Sequence, residues 1–218
     1  MTAFRHAFRA YREFYDQIWW LLLVLAAWWL LVATVVFAPS ATMLLFHQAD
    51  PRRGAWDERI GVRGFGAYLT SNFVRGWKLF FTTVPVIALI AFNLSFYGGG
   101  DTSLAILAPI WLVLLIAGIT ATVVTFAVAG TSDMGALESL KRGLRITAVR
   151  LPAVVVILLI TGLLPAILLT SFPFLFPLLL AVPGLIATAF SSFVLKAMRV
   201  PIPEPNKPTE ERLHEIKK

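Results

Sequence analysis

LPAVVVILLITGLLPAILLTSFPFLFPLLLAVPGLIATAFSSFVL, residues 151–195, contains no Asp, Glu, Lys or Arg. An α-helix rises about 1.5 Å per residue, so about 20 apolar residues cross a hydrocarbon core about 30 Å thick. This stretch is too long for one such helix and suits two. Pro173 cannot donate a backbone hydrogen bond and disfavours helix at the residue before it, which favours a turn at residues 170–173. We therefore predict two membrane-spanning helices, 151–170 and 174–195.

Three further runs, residues 17–46, 79–100 and 102–132, also lack charged side chains. Each holds one predicted span, and these three spans are 18–38, 79–97 and 104–129. The composition agrees, because 58% hydrophobic and 14% charged residues are values that a soluble domain hardly reaches. The sequence therefore predicts an all-α, polytopic helical membrane protein with about five transmembrane helices.

The distribution of Lys and Arg predicts the orientation. Basic residues concentrate in segments 47–78 and 131–150 and in the tail from Lys196, whereas the turns at 98–103 and 170–173 have none. Basic loops are retained in the cytoplasm, so we expect a protein of the cell membrane with a cytoplasmic C-terminus. Five spans then place the N-terminus outside, together with Arg5, Arg9 and Arg12.

The first apolar run allows two interpretations. It is longer than the apolar region of a secretory signal, which is about 7–15 residues, so we expect an uncleaved first span. Alternatively, residues 17–46 bend back at Pro39-Ser40 as a re-entrant or interfacial segment. That arrangement leaves four full spans and an internal N-terminus, and it requires the irregular backbone to be buried in protein.

Two of the basic segments carry amphipathic patterns. Apolar residues repeat every three or four positions at Phe65, Leu69, Phe73 and Trp77, and again at Met134, Leu137, Leu140 and Leu144. We predict two amphipathic helices in the cytoplasmic interface, where basic side chains meet anionic head groups. The candidate lipid contacts are Arg75, Lys78, Arg142 and Arg145. The alternative is that each segment is the cytoplasmic extension of the span that follows.

The two amphipathic segments also resemble each other. A shift of 67 residues lays Arg75-Gly76 over Arg142-Gly143 and Pro85 over Pro152. Each unit then contains an amphipathic helix and a transmembrane hairpin, which predicts a parallel repeat. The predicted organisation begins with residues 1–61, an N-terminal amphipathic segment followed by the first span and a polar loop. Two repeat units, 62–130 and 131–198, and a Pro-rich charged cytoplasmic tail, 199–218, follow.

Residues 36–43, VFAPSATM, and 65–73, FGAYLTSNF, resemble the YesL-like family of small bacterial multi-pass membrane proteins. In length and hydropathy the resemblance covers about residues 10–200. The family motif often has an Asn in the first span, whereas residues 18–20 are IWW. Members are typically encoded near carbohydrate ABC transporters and polysaccharide-degrading enzymes, so the resemblance implies a role beside sugar uptake.

The sequence offers few groups for catalysis. It contains no Cys, no Gly-rich phosphate loop and no pair of His at metal spacing. The predicted spans contain no ionisable residue at depth, which argues against an ion-coupled pump. His47 and Asp50 are interpreted as a solvated surface pair. We therefore expect no catalytic activity, no cofactor, no metal and no nucleic-acid partner.

Small polar residues within the spans are the remaining candidates for a functional role. Hydroxyl and amide side chains of this kind form contacts between helices. The candidate helix–helix contacts are Asn93, Thr122, Thr125 and Ser191. An amide in a span needs a partner in the bundle or in another subunit, so Asn93 also marks a candidate homo-oligomer contact.

Two classes of function follow from these expectations. The first is a non-enzymatic accessory or assembly protein of a membrane complex, with the permease of a carbohydrate ABC transporter as the partner that the resemblance implies. The second is a permease, flippase or channel for an uncharged or lipid-like solute that works through the interface of the repeat.

Overall fold

The computed structural model describes residues 11–12, 14–15, 18–53, 62–98, 106–171 and 179–200. Those residues form helices and short turns, with no strand among them. The helices are α1 (Ile18–Ala33), α2 (Ala38–Gln48), α3 (Val62–Ser71), α4 (Phe73–Gly98), α5 (Ala108–Thr131), α6 (Ala136–Leu158), α7 (Leu164–Ser171) and α8 (Val182–Ala197). A 3₁₀ turn, Pro51–Arg53, follows α2, and a π-helical turn, Leu159–Leu163, joins α6 to α7.

Four of the helical segments are long and apolar enough to cross a membrane: Phe73–Gly98, Ala108–Thr131, Ala136–Leu168 and Leu179–Ala197. The predicted polytopic helical fold is therefore confirmed. The predicted turn at 170–173 and the turn at 98–103 lie mostly outside the described residues, as do the N-terminal arginines at positions 5 and 9 and the tail from residue 201.

The first apolar run is divided into two helices instead of forming a span over 18–38. α1 has 16 residues, about 24 Å at 1.5 Å per residue, and ends at Ala33. A break follows in which Val35 has a φ of 60°. After the break α2 packs back on α1, and the indole Nε1 of Trp28 donates to the hydroxyl of Thr42 at 3.3 Å. The alternative interpretation placed a bend at Pro39-Ser40. The chain turns a few residues before that position.

Helix α2 forms the centre of the molecule although it has only 11 residues. Met43, Leu44 and Leu45 are among the least exposed side chains of the chain. A Cβ atom on Gly130 of α5 would lie 2.6 Å from the carbonyl oxygen of Met43, so only glycine lets α5 approach α2 this closely. Helix α8 contacts α2 as well, because Ser191 donates its hydroxyl to the carbonyl oxygen of Phe46 at 3.1 Å.

The two predicted amphipathic segments have different structures. The first is divided between a separate helix, α3, and the start of α4, which holds Phe73 and Trp77. Phe65 and Leu69 of α3 are buried, and the Phe65 ring meets Trp20 edge-on at 6.2 Å. The second is the first half of α6 and continues into the following span, as the extension alternative proposed. Its Leu137 and Leu144 remain exposed, so part of its apolar face is available to lipid.

The glycines of the proposed repeat occupy comparable positions. Gly76 lies against Pro39 and Ser40 of α2, and Gly143 lies against Thr125 of α5. Each glycine thus allows the start of a span to approach a helix that precedes it in the chain.

The prolines of the proposed repeat have different effects on their helices. Pro85 lies within a continuous α4. Near Pro152, by contrast, Arg150 departs from helical geometry with φ −126° and ψ 25°, so α6 is kinked there. A proline within a helix removes one backbone hydrogen bond and crowds the preceding turn, and the kink in α6 relieves that crowding.

Candidate functional site: a polar cavity at the basic end

Polar and charged side chains meet at one end of the bundle, which we call the basic end. It comprises the end of α2 with the following turn, the α3–α4 junction, the α5–α6 connection and the end of α8. A cavity of about 430 Å³ lies there. The side chains with ionisable or amide groups that line it are His47, Asp50, Arg52, Tyr68, Asn72, Arg75, Asp133 and Arg142.

The cavity forms around the C-terminus of α5. The last carbonyl groups of a helix have no partners within the helix and carry the negative end of its dipole, so cationic donors stabilise them. Arg52 Nη2 donates to the carbonyl oxygen of Thr131 at 2.6 Å, and Arg75 Nη2 donates to that of Ser132 at 2.9 Å. Two arginines from different parts of the chain thus stabilise one helix end.

His47 provides a third contact to the same end of α5. Its Nδ1 lies 3.2 Å from the carbonyl oxygen of Gly130 and donates to it in the tautomer protonated at Nδ1. The imidazole also contacts the ring of Tyr68, with the two ring centres 4.5 Å apart. Through His47 the end of α2 is therefore attached both to α5 and to α3.

Asp50 holds Arg52 in position. Its carboxylate accepts hydrogen bonds from Nε of Arg52 at 3.1 Å and from Nη2 at 2.6 Å, and it also accepts from the backbone N–H of Arg52 at 2.9 Å. Asp50 is fully buried, whereas the side chain of Arg52 is 25% exposed. This two-pronged pairing suits the planar guanidinium group, and it leaves Nη2 able to reach α5 as well.

Arg75 connects α4 to the α5–α6 connection. Besides the Ser132 carbonyl, its Nη2 contacts the hydroxyl of Ser139 at 3.2 Å, and its Nη1 lies 3.4 Å from Oδ1 of Asn72. The amide of Asn72 in turn donates to the carbonyl oxygen of Tyr68 at 3.1 Å. Arg75 therefore lines the protein cavity, where the carbonyl and hydroxyl acceptors of the bundle are within its reach.

The other three candidate lipid contacts are exposed. Lys78 borders an apolar groove between α4 and α6, to which Trp77 also contributes. Arg145 lies on the exposed face of α6. Arg142 is exposed at the cavity, where its Nη1 contacts the sulfur of Met134 at 3.8 Å.

The candidate helix–helix contacts occupy different environments. Thr125 is buried against Gly143, and Ser191 bonds to α2 as described above. Thr122 is half-buried on α5. Asn93 is half-exposed, and its Nδ2 donates to the carbonyl oxygen of Leu89 in its own helix at 2.7 Å. The structure thus brings Thr125 and Ser191 to interfaces within the chain, while Asn93 lies towards the surface.

The interpretation of His47 and Asp50 as a solvated pair is wrong, because both are buried. Sequence reasoning also missed the role of Arg52. The available signal was the position of an Asp and an Arg immediately after a short apolar helix, but their acceptor on α5 lies 79 residues away in sequence.

The fold and the cavity define a class, the polytopic helical membrane proteins, with a guanidinium-lined cavity at one end of the bundle. Comparison of the chain with protein-family models, with curated proteins and with solved structures finds no match. Across the part of the chain that the structure describes, no group of three His, Asp or Glu side chains is placed to hold a metal ion. The cavity offers N–H donors, and its chemistry is therefore that of hydrogen bonding and charge.

Proposed function

We propose that the protein is a non-enzymatic accessory or assembly subunit of a complex in the cell membrane. The apolar outer face of the α4–α5 hairpin is the main support for this proposal. Its exposed side chains include Leu89, Phe92 and Phe96 of α4 and Val113 of α5. Such a face suits the transmembrane helices of another protein as well as lipid.

Three hydroxyls within the spans support a role without a permeation path. Thr83, Thr120 and Thr161 each donate to a carbonyl oxygen of their own helix, at distances between 2.7 and 2.9 Å. Hydroxyls satisfied in this way do not need a solute as a partner. The cavity at the basic end favours the alternative function. In that alternative the protein is a permease, flippase or channel for an uncharged or lipid-like solute.

The proposed partner is the permease of a carbohydrate ABC transporter. This part of the proposal is supported by the resemblance of residues 36–43 and 65–73 to the YesL-like family. The test is purification of the tagged protein in mild detergent from cells that express such a transporter. A permease in a fixed ratio supports the accessory role. Solute flux into liposomes that contain this protein alone would instead favour the permease.

Paired variants make this test specific to the α4 face. The double variant Phe92→Ala/Phe96→Ala is expected to lose the permease, because the two side chains lie one turn apart on α4 and are 68% and 65% exposed. The matched control is Leu163→Ala/Leu164→Ala, which removes two exposed apolar side chains near the π-helical turn. Equal loss of the permease in both variants would contradict the assignment of the α4 face.

The proposed topology has a cytoplasmic C-terminus and four full spans, with residues 17–46 entering and leaving on one side. The 16-residue length of α1, the break before α2 and the burial of α2 support it. Reporters fused to the two ends are expected to show both in the cytoplasm. A reporter that places only the N-terminus outside would support five spans.

A further inference from the structure

The two arginines that the proposed repeat relates by 67 residues line the same cavity. Arg75 comes from the start of α4 and Arg142 from the first half of α6. Tyr68 and Asn72, on the approach to α4, also contribute to the cavity wall. Two copies of one sequence pattern thus supply guanidinium groups to a single space, which helix packing alone does not require.

The charges around the cavity do not cancel. Asp50 is committed to Arg52 by the two-pronged pairing, so this pair contributes no net charge. Of the remaining ionised side chains on the cavity wall, Arg75 and Arg142 are positive and the exposed Asp133 is negative. With the histidine neutral, the described wall therefore carries a net charge of about +1.

Hydrogen-bond donors also remain in excess. Nε of Arg75 is buried and has no hydrogen-bond partner among the described residues. Nη1 of Arg142 contacts only the weak acceptor sulfur of Met134 in the described part of the chain, and a guanidinium group has five N–H donors. Two guanidinium groups with spare donors in one cavity suit an oxyanion, which accepts two hydrogen bonds from each fork.

We propose that the cavity binds a phosphodiester group, either in the head group of an anionic phospholipid or in a soluble glycerophosphodiester. A phosphodiester carries one negative charge and so matches the wall, whereas a phosphomonoester carries about −1.5 to −2 at neutral pH. The exposed Lys78 and Arg145 at the same end of the spans create the setting in which anionic head groups collect. This inference is independent of the accessory role.

Binding is tested with the full chain purified in a neutral detergent. The probes are phosphatidylglycerol, soluble glycerophosphoglycerol and inorganic phosphate, and the measurement is bound ligand by native mass spectrometry with titration. Wild-type protein is expected to bind phosphatidylglycerol. Displacement by glycerophosphoglycerol would identify the head group alone as sufficient, and retention would show that the acyl chains contribute. Absence of binding, or tighter binding of inorganic phosphate than of either diester, would overturn the proposal.

Arg142→Gln is the principal variant, because Arg142 is exposed and its loss leaves the contacts of Arg52 and Arg75 in place. It is expected to weaken phosphatidylglycerol binding about tenfold or more, the effect of losing a charge-assisted hydrogen bond. Arg145→Gln is the matched control, since Arg145 is exposed on the same helix but does not line the cavity. Equal weakening by both variants would show general surface attraction and overturn the proposal.

Asp133→Asn provides a test in the opposite direction. Removing this exposed carboxylate raises the net charge of the wall, so phosphatidylglycerol binding is expected to tighten severalfold. An unchanged or weaker affinity in a folded Asp133→Asn protein would contradict the charge balance on which the proposal depends.

Discussion

Asp50 is a fully buried carboxylate whose charge is offset by Arg52. Replacing it with Asn in the variant Asp50→Asn keeps the size of the side chain but leaves the guanidinium of Arg52 opposite a neutral amide. We expect the free energy of unfolding to fall by about 2 kcal/mol, less than for a fully buried pair because the side chain of Arg52 is partly exposed. Unfolding by titration with a denaturing detergent measures the change.

The control for this prediction is Asp133→Asn. Asp133 lines the same cavity but is exposed, so its neutralisation is expected to change the free energy of unfolding by less than about 0.5 kcal/mol. A loss of similar size in both variants would mean that the stability depends on the total charge of the cavity and not on the Asp50–Arg52 pair.

Gly143 allows α6 to approach α5 closely. A Cβ atom there would lie 2.8 Å from Cα of Thr125, and backbone cannot move aside as a flexible side chain does. Gly143→Ala is therefore expected to destabilise the protein by about 1–3 kcal/mol, measured by the same detergent titration. Gly66→Ala in α3 is the matched control, since beyond its own helix backbone and chain neighbours no described atom lies within 4 Å of the added methyl, and alanine favours helix. A destabilised Gly66→Ala protein would contradict this explanation.

At the scale of elements, the break between α1 and α2 contains a strained residue. Val35 has a φ of 60°, a conformation that is costly for a β-branched residue and free of that cost for glycine. Val35→Gly is expected to raise the melting temperature in detergent, by an amount corresponding to about 1 kcal/mol. Val36→Gly, at the exposed neighbour, is expected to lower it, because flexibility is added without relief of strain. A higher melting temperature for Val36→Gly would exclude strain as the cause.

The long helices were predictable because their boundaries depend on local chemistry. The predicted span 79–97 lies within α4, and 104–129 agrees with α5 except for a few residues at its N-terminal end. Charge-free runs identify the part of a helix that is immersed in lipid, but the backbone hydrogen bonds of the helix continue beyond that part. For this reason α4 begins at Phe73, among basic residues. For the same reason the second amphipathic segment is continuous with α6.

The division of the first apolar run was less predictable. Residues 17–46 carry no charged side chain, so hydropathy does not distinguish one helix from two. The packing of α2 against Gly130 and Ser191, which lie far away in sequence, stabilises the turn. The cavity was missed for the same reason, because Asp50 and Arg52 acquire their role only when the end of α5 reaches them.

At the scale of the whole molecule, Asn93 provides a test of assembly. Its Nδ2 group bonds within α4, which leaves the amide oxygen for a neighbouring subunit. Asn93→Leu is expected to weaken self-association or the association with a partner, while the stability of the isolated chain changes little. Chemical cross-linking in membranes and size-exclusion chromatography in mild detergent measure the two assembly states.

Ser95→Ala is the control for Asn93→Leu, because Ser95 is exposed on the same helix and also bonds within it, to the carbonyl oxygen of Ala91 at 3.0 Å. It is expected to leave assembly unchanged. If Asn93→Leu keeps the wild-type self-association and the association with a partner, Asn93 is not part of the contact surface.

Because α2 lies at the centre of the molecule, its packing depends on a helix that is made after it. The ribosome delivers α2 early, whereas α8, whose Ser191 bonds to Phe46, is the last of the described helices to be made. Until α8 is inserted, α2 lacks its contact with that helix, and the chain resembles the partly assembled intermediates that expose unpaired surface. The core is therefore completed only after α8 has been made, and a chain that stops before residue 182 presents an incomplete core to the proteases that remove unfinished membrane proteins.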